Sequence, residues 1–176
     1  MSTAKLPALR SLGDLVGSEP LIIIDTREQD PLPFSRLKTQ SGTLITGDYS
    51  VAGLENLFAV ERKSISDLVG CCIGQNRERF ERELHRLHGF RFKRLLVVGT
   101  EAQILSGQYR SNIKPQAITG TLHAFEIRYD VPIVFCETPE LAARQVERWA
   151  FWFVREYVQA ANELWRALKG GNNEQR

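Results

Sequence analysis

Three short apolar runs, Leu21-Ile22-Ile23-Ile24, Leu95-Leu96-Val97-Val98 and Ile133-Val134-Phe135-Cys136, constrain the fold of this chain most tightly. Each is too short to be a helix and is apolar at every position, the pattern of a strand, with the first two read as strands buried in a sheet. Between and after them the periodicity is helical. Phe80, Leu84 and Leu87 recur at steps of four and three among arginines and glutamates, and this spacing predicts one long helix after Gly74. A short helix is expected at Glu101–Leu105, a longer one at Pro115–Tyr129, and a last one running from Thr138, as cap, and Pro139 to about Leu168. Further strands are expected at residues 43–45, 49–51 and 57–63. Strands separated by helices make this an α/β chain with a central mixed sheet flanked by helices.

The 176 residues suffice for one core, so a single domain is expected over 21–137, preceded by a flexible arm (1–20). The C-terminal helix at 138–169 either packs on that core or forms an interface, and 170–176 reads as a flexible tail. No run of eighteen apolar residues and no secretory leader is present, so the expected location is cytoplasmic, away from membranes. Three cysteines, Cys71, Cys72 and Cys136, make neither a disulfide framework nor a ligand cluster and read as buried thiols. His85, His88 and His123 are too scattered to hold a metal. The net charge of +2 predicts no partner. Its distribution says more, because residues 61–94 carry nine Lys or Arg against five acids.

The chemistry concentrates in two segments, Thr46-Gly47-Asp48-Tyr49 and Val60-Glu61-Arg62-Lys63-Ser64-Ile65-Ser66-Asp67. Alternate residues of a strand face the same way, so Glu61 and Lys63 share a face and Arg62 points to the other. Asp48, brought in from a neighbouring strand or turn, can join Glu61 around a divalent cation. A set of carboxylate and carbonyl oxygens suits Mg²⁺ and not zinc. Asp25 and Glu28, after the first strand, are further carboxylate candidates between which composition does not choose. Taken singly, each segment has a plainer reading: Glu-x-Lys as an ion-paired edge, Gly-Asp as a turn, Asp67 as a helix cap, Arg27 as a structural partner of Asp25 or Glu28.

The segments Asp25-Thr26-Arg27-Glu28, Gly47-Asp48-Tyr49 and Glu61-Arg62-Lys63 with Asp67 together resemble the nuclease domain of the XPF-type structure-selective endonucleases over about residues 21–137. That resemblance implies a restriction-endonuclease-like fold and Mg²⁺-dependent cleavage of branched, flap or fork DNA, with Mn²⁺ as substitute, in DNA repair or recombination. It implies Asp25, Asp48 and Glu61 as metal-site acids, Lys63 as the catalytic lysine, and Arg27, Glu28, Arg62 and Asp67 as supporting residues. No helicase-like region or tandem helix-hairpin-helix pair accompanies the motifs, so the chain looks like a stand-alone short form, with a recruiting protein as a possible partner. In the basic helix, Arg77, Arg79, Arg82 and Arg86 are the expected phosphate contacts, against a solvated helix laced by glutamates. The aromatic run Trp149-Ala150-Phe151-Trp152-Phe153-Val154 and the resemblance both point to a homodimer. Two other functions remain open: a sequence-selective restriction-type nuclease, and a non-catalytic DNA-binding partner subunit.

Overall fold

A computed structural model describes residues 19–170; almost all of the expected N-terminal arm and C-terminal tail lie outside the described residues. Six strands form one sheet in the order β2-β1-β3-β4-β5-β6. They are β1 (Ile22–Asp25), β2 (Thr39–Gly42), β3 (Tyr49–Val51), β4 (Phe58–Ser64), β5 (Phe92–Val98) and β6 (Ile133–Cys136). The β2-β1 and β4-β5-β6 pairs are parallel, whereas β3 runs antiparallel to both β1 and β4, so the sheet is mixed. Five helices complete the described chain: α1 (Ile65–Gly70), α2 (Gly74–His88), α3 (Glu101–Leu105), α4 (Pro115–Tyr129) and α5 (Pro139–Gly170).

Alternation along the strands sorts the core into two layers. Ala59, Leu95 and Val97 pack against Leu68, Phe80, Leu84, Leu87, Ile118 and Phe125, from α1, α2 and α4. Phe58, Val60 and Leu96 face the other way, onto Ala142, Val146 and Ala150 of α5. The small side chains of α5 let its axis lie close to the sheet, and Trp149 and Phe153 close the layer against Phe92. One polar contact locks this side. Glu147, 3% exposed, accepts the successive backbone N–H groups of Ser35, Arg36 and Leu37 on Oε1 at 3.0, 2.7 and 3.1 Å, tying the loop before β2 to α5.

The helical expectations hold, and the cap of the short α1 is Ser64 and not Asp67, the Ser64 hydroxyl accepting from the Asp67 N–H at 3.1 Å. One strand is displaced. Residues 43–45 were expected to be extended in the sheet, but β2 occupies Thr39–Gly42 and the chain leaves the ladder after Gly42. The physical reason is a side chain: the Leu44 N–H is taken by the Asp25 carboxylate at 2.7 Å, so it is not available to a strand partner. β5 also begins earlier than its apolar run, because Phe92, Lys93 and Arg94 already pair with Phe58, Ala59 and Val60. Among the described residues no helix is long and apolar enough to cross a membrane.

Candidate active site

Register builds the site. Ile24 of β1 faces Tyr49 of β3, and Tyr49 faces Val60 of β4. Continued by one residue, these two antiparallel registers set Asp25 opposite Asp48 and Asp48 opposite Glu61. The backbone agrees, since the Asp25 N–H donates to the Asp48 carbonyl and the Asp48 N–H to the Val60 carbonyl, both at 2.8 Å. Three carboxylates therefore stand in a row across adjacent strands, on the face that α2 covers. Gly47 makes the approach possible. Its φ of +81° is the left-handed region, and a Cβ there would meet the Val60 carbonyl oxygen at 3.1 Å.

The three acids differ in what holds them. The Asp25 carboxylate accepts four bonds, from Arg27 N (2.9 Å), Arg27 Nε (2.6 Å), Arg27 Nη2 (3.1 Å) and Leu44 N (2.7 Å). Burial works to raise its pKa, but the Arg27 and Leu44 hydrogen bonds outweigh burial and hold it below the ordinary value. A carboxylate offers about four lone-pair positions, and here donors occupy all of them. The expectation that Asp25 is a third cation ligand thus meets a saturated group. Asp48 accepts the Arg62 N–H on Oδ2 at 2.6 Å, and among the described residues no donor reaches its other oxygen. Burial, opposed by the Arg62 N–H and the Lys63 charge, pushes its carboxyl up to about 6. Glu61, 2% exposed, takes the Lys63 ammonium on Oε1. Burial and the neighbouring Asp48 raise its carboxyl well above the usual range despite that ammonium. The pair is a buried acid with room on one oxygen beside a second acid of the same kind.

Lys63 lies on the same face as Glu61. Its ammonium stands 5.4 Å from the centre of the Phe80 ring and 3.8 Å from Glu83 Oε2. Burial would lower its pKa, and the Glu61 and Glu83 carboxylates more than reverse that, so it stays protonated. Arg62 points to the opposite face, where Glu28 holds it with two bonds of 3.0 and 2.9 Å. Tyr49, fully buried, completes that support: its hydroxyl accepts from the Leu32 N–H at 3.0 Å and donates to Glu28 at 3.3 Å. Arg62 thereby ties two layers together, its side chain anchored to Glu28 and its N–H bonded to Asp48.

Asp25, Glu28, Asp48, Glu61, Arg62 and Lys63 line one open cleft of about 520 Å³. Its far wall is α2, which presents Asn76, Arg79, Glu83 and Arg86 to the cleft while Phe80, Leu84 and Leu87 face the core. Arg27 and Asp67 also reach it. The other two expected DNA contacts do not. Arg77 pairs with Glu81 at 3.0 Å and lies over the Phe125 ring, and Arg82 is exposed outside the cleft lining. Glu83 escaped the sequence reading, although its spacing from Asn76, Arg79 and Arg86 at seven, four and three residues marks the shared helical face. Cys72 is the buried thiol, while Cys71 is partly exposed at the cleft and Cys136 partly exposed elsewhere.

Among the described residues no group of three or more His, Cys, Asp or Glu is arranged to hold a metal ion. The row does supply two carboxylates, Asp48 and Glu61, each with an oxygen no donor occupies. Mg²⁺ is commonly bound in this way, by one or two carboxylates with waters and substrate phosphate filling the remaining positions. The donor set therefore fits a hard divalent cation completed by substrate.

Comparison with solved structures gives a similar fold. XPF from Aeropyrum pernix superposes with a TM-score of 0.59 at 20% identity, over 74% of this chain and 60% of that one. The same protein in complex with DNA gives 0.61 at 20% identity, over 78% and 66%. The chain thus spans about 60 to 66% of the length of these XPF structures. No curated protein matches. The sheet and its flanking helices have the restriction-endonuclease-like arrangement, and the ERCC4 domain family matches residues 24–148, from the end of β1 through the buried first turns of α5, so the chain belongs to the ERCC4 domain family.

Proposed function

We propose that this chain is a Mg²⁺-dependent endonuclease that hydrolyses phosphodiester bonds in branched, flap or fork DNA, with Mn²⁺ as a substitute ion. Family membership supports a DNA-cutting role. The observation that carries the finer reading is the juxtaposition of Asp48, Glu61 and Lys63 in a cleft whose far wall presents Arg79 and Arg86. In this reading Asp48 and Glu61 hold the cation through their unoccupied oxygens. A bound divalent ion supplies polarisation of the phosphate and a lowered pKa for the attacking water. Lys63 neutralises charge developing on the scissile phosphate from inside the cleft, where a fixed ammonium acts with less screening than in water. Arg79, Arg86 and the exposed guanidinium of Arg27 contact flanking phosphates. Asp25 serves as the anchor of the loop that carries Asp48, with Arg27 and Leu44 as its partners. Glu28, Arg62 and Tyr49 keep β4 and the Asp48 loop in register from the other face.

An open, polar cleft that reads phosphates gives little base discrimination, which favours structure selection over sequence selection. Divalent-ion titration of cleavage on flap, fork, nicked and plain duplex DNA tests this directly. Ion-dependent cutting, strongest at flap or fork junctions, is the expected result. Cutting confined to particular duplex sequences would instead make it a restriction-type enzyme. DNA binding without cutting in Mg²⁺ or Mn²⁺ would make it a binding subunit. The exposed apolar side chains of the outer part of α5, Phe151, Trp152, Leu164 and Leu168, further support assembly as a homodimer.

A further inference from the structure

Lys63 is approached by two acids, and the more distant one has no evident structural task. Glu83 lies on the cleft-facing row of α2, its side chain about one quarter exposed and its Oε2 3.8 Å from the Lys63 ammonium. That distance is too long for a hydrogen bond and within ion-pair reach. Among the described residues Glu83 makes no hydrogen bond, whereas its helical neighbours Glu81 and Arg77 pair with each other. On its other side Lys63 is bonded to Glu61, which is almost completely buried. Phe80, three residues before Glu83 on the same helix, lies under the ammonium and bounds its movement. A single charged side chain therefore sits between a near, buried acid and a farther, freer one.

This arrangement conflicts with the proposed chemistry unless Lys63 can change partners. An ammonium hydrogen-bonded to Glu61 competes for the charge of the carboxylate that is to hold the cation. Releasing it with no new acceptor would leave a mostly covered charge unpaired, which is costly. We propose that Glu83 is a positioning residue that receives the Lys63 ammonium when Glu61 turns its carboxylate to a divalent cation. The transfer requires a movement on the order of 1 Å to reach normal hydrogen-bond length. It keeps Lys63 charged and inside the cleft, beside the position of the phosphate. The inference rests on the reading of Asp48 and Glu61 as the cation site.

Calorimetric titration of MgCl₂ into the DNA-free protein tests it, using the native chain, Glu83→Gln, Lys63→Met and the double variant. Glu83 is partly exposed, so Glu83→Gln is expected to fold normally, which melting in chelator verifies. Glu83→Gln should weaken Mg²⁺ binding about tenfold, and Glu83→Asp should recover part of that loss. In the Lys63→Met background, with no ammonium to receive, the same Glu83→Gln change should cost less than about twofold. An equal loss in both backgrounds would mean that Glu83 acts only as a nearby negative charge and would overturn its positioning role while leaving the cation site standing. Unchanged affinity in the single Glu83→Gln variant would overturn it too. Absence of Mg²⁺ binding by the native chain is a different result: it removes the cation site and the role of Glu83 with it.

Discussion

Asp48 and Asp25 show how two carboxylates on neighbouring strands come to differ. Burial, with added repulsion from Glu28 and Glu83, lifts its carboxyl to about 6, while Asp25, on the next strand, is held below the ordinary value by its donors. The sign follows. A carboxyl with a raised folded-state pKa costs stability when ionised above about pH 6, and the cost fades as pH falls toward the unfolded value. Asp48→Asn keeps an acceptor for the Arg62 N–H and removes the charge. We expect the variant to melt a few degrees higher than the native chain in chelator at pH 7.5, equivalent to roughly 1–2 kcal/mol, with the gap narrowing below about pH 6 and closing near pH 4. It should also abolish cleavage; a variant that still cuts at near-native rate would remove Asp48 from the site. Tyr49→Phe addresses the opposite face. It strips the buried Leu32 N–H of its acceptor and Glu28 of a donor, at an expected cost of about 1–3 kcal/mol by urea unfolding, with reduced turnover and unchanged Mg²⁺ affinity. At this scale the shared face of Glu61 and Lys63 and the Ser64–Asp67 helix start were legible because period-two alternation and cap spacing are local rules. The saturation of Asp25 was not, since one of its donors is a backbone N–H nineteen residues away.

Among the elements, α2 divides its arginines by face. Arg79 and Arg86 line the cleft, Arg82 points away from it and Arg77 is engaged with Glu81 and Phe125. Replacing Arg79 and Arg86 together by Ala should weaken DNA binding and lower the slope of log K against log salt by up to about two units, whereas Arg82→Ala should leave the slope unchanged. Equal effects from Arg82 would mean that the DNA path extends beyond the cleft. The turn before β3 offers a second check. Gly47→Ala forces a side chain into the left-handed region and against the Val60 carbonyl, so a loss of about 1–3 kcal/mol is expected, visible as a lower urea midpoint. The amphipathic period of α2 could be read directly because it repeats along one helix. The position of β2 could not, because competition between a strand partner and the Asp25 carboxylate for the Leu44 N–H is settled in three dimensions.

For the whole molecule, the long C-terminal helix is the unbalanced part. Its 32 residues extend about 48 Å, roughly twice the length of the seven-residue strands it crosses. Its first turns bury Ala142, Ala143, Val146 and Ala150, yet beyond residue 150 none of its described side chains is fully buried. Trp152 is 54% exposed and Leu164 62%. Light scattering across micromolar concentrations should find a dimer, and Trp152→Glu should return it to monomer without lowering the melting temperature of the dilute protein. A native monomer throughout that range would remove the pairing proposal. Loss of folding in Trp152→Glu would place the tryptophan in the core after all.

What the sequence determined by itself follows from short-range rules. The apolar runs become strands because four residues are too few for a helix and a sheet covers both faces of such a run, almost fully for the interior β5 and partly for the edge strand β6. Ser64 and Thr138 mark helix starts, and Glu61 and Lys63 share a face. Tertiary structure decided what depends on partners far along the chain. It set Asp25, Asp48 and Glu61 in one row through the β1-β3-β4 register, filled one of those acids with donors and left the other two open. It brought Glu83 to Lys63 across twenty residues of sequence. It also divided the uniformly apolar stretch of α5 into a face buried on the sheet and a half that reaches past it, because the reach of a helix is set by its length and that of the sheet by its strands.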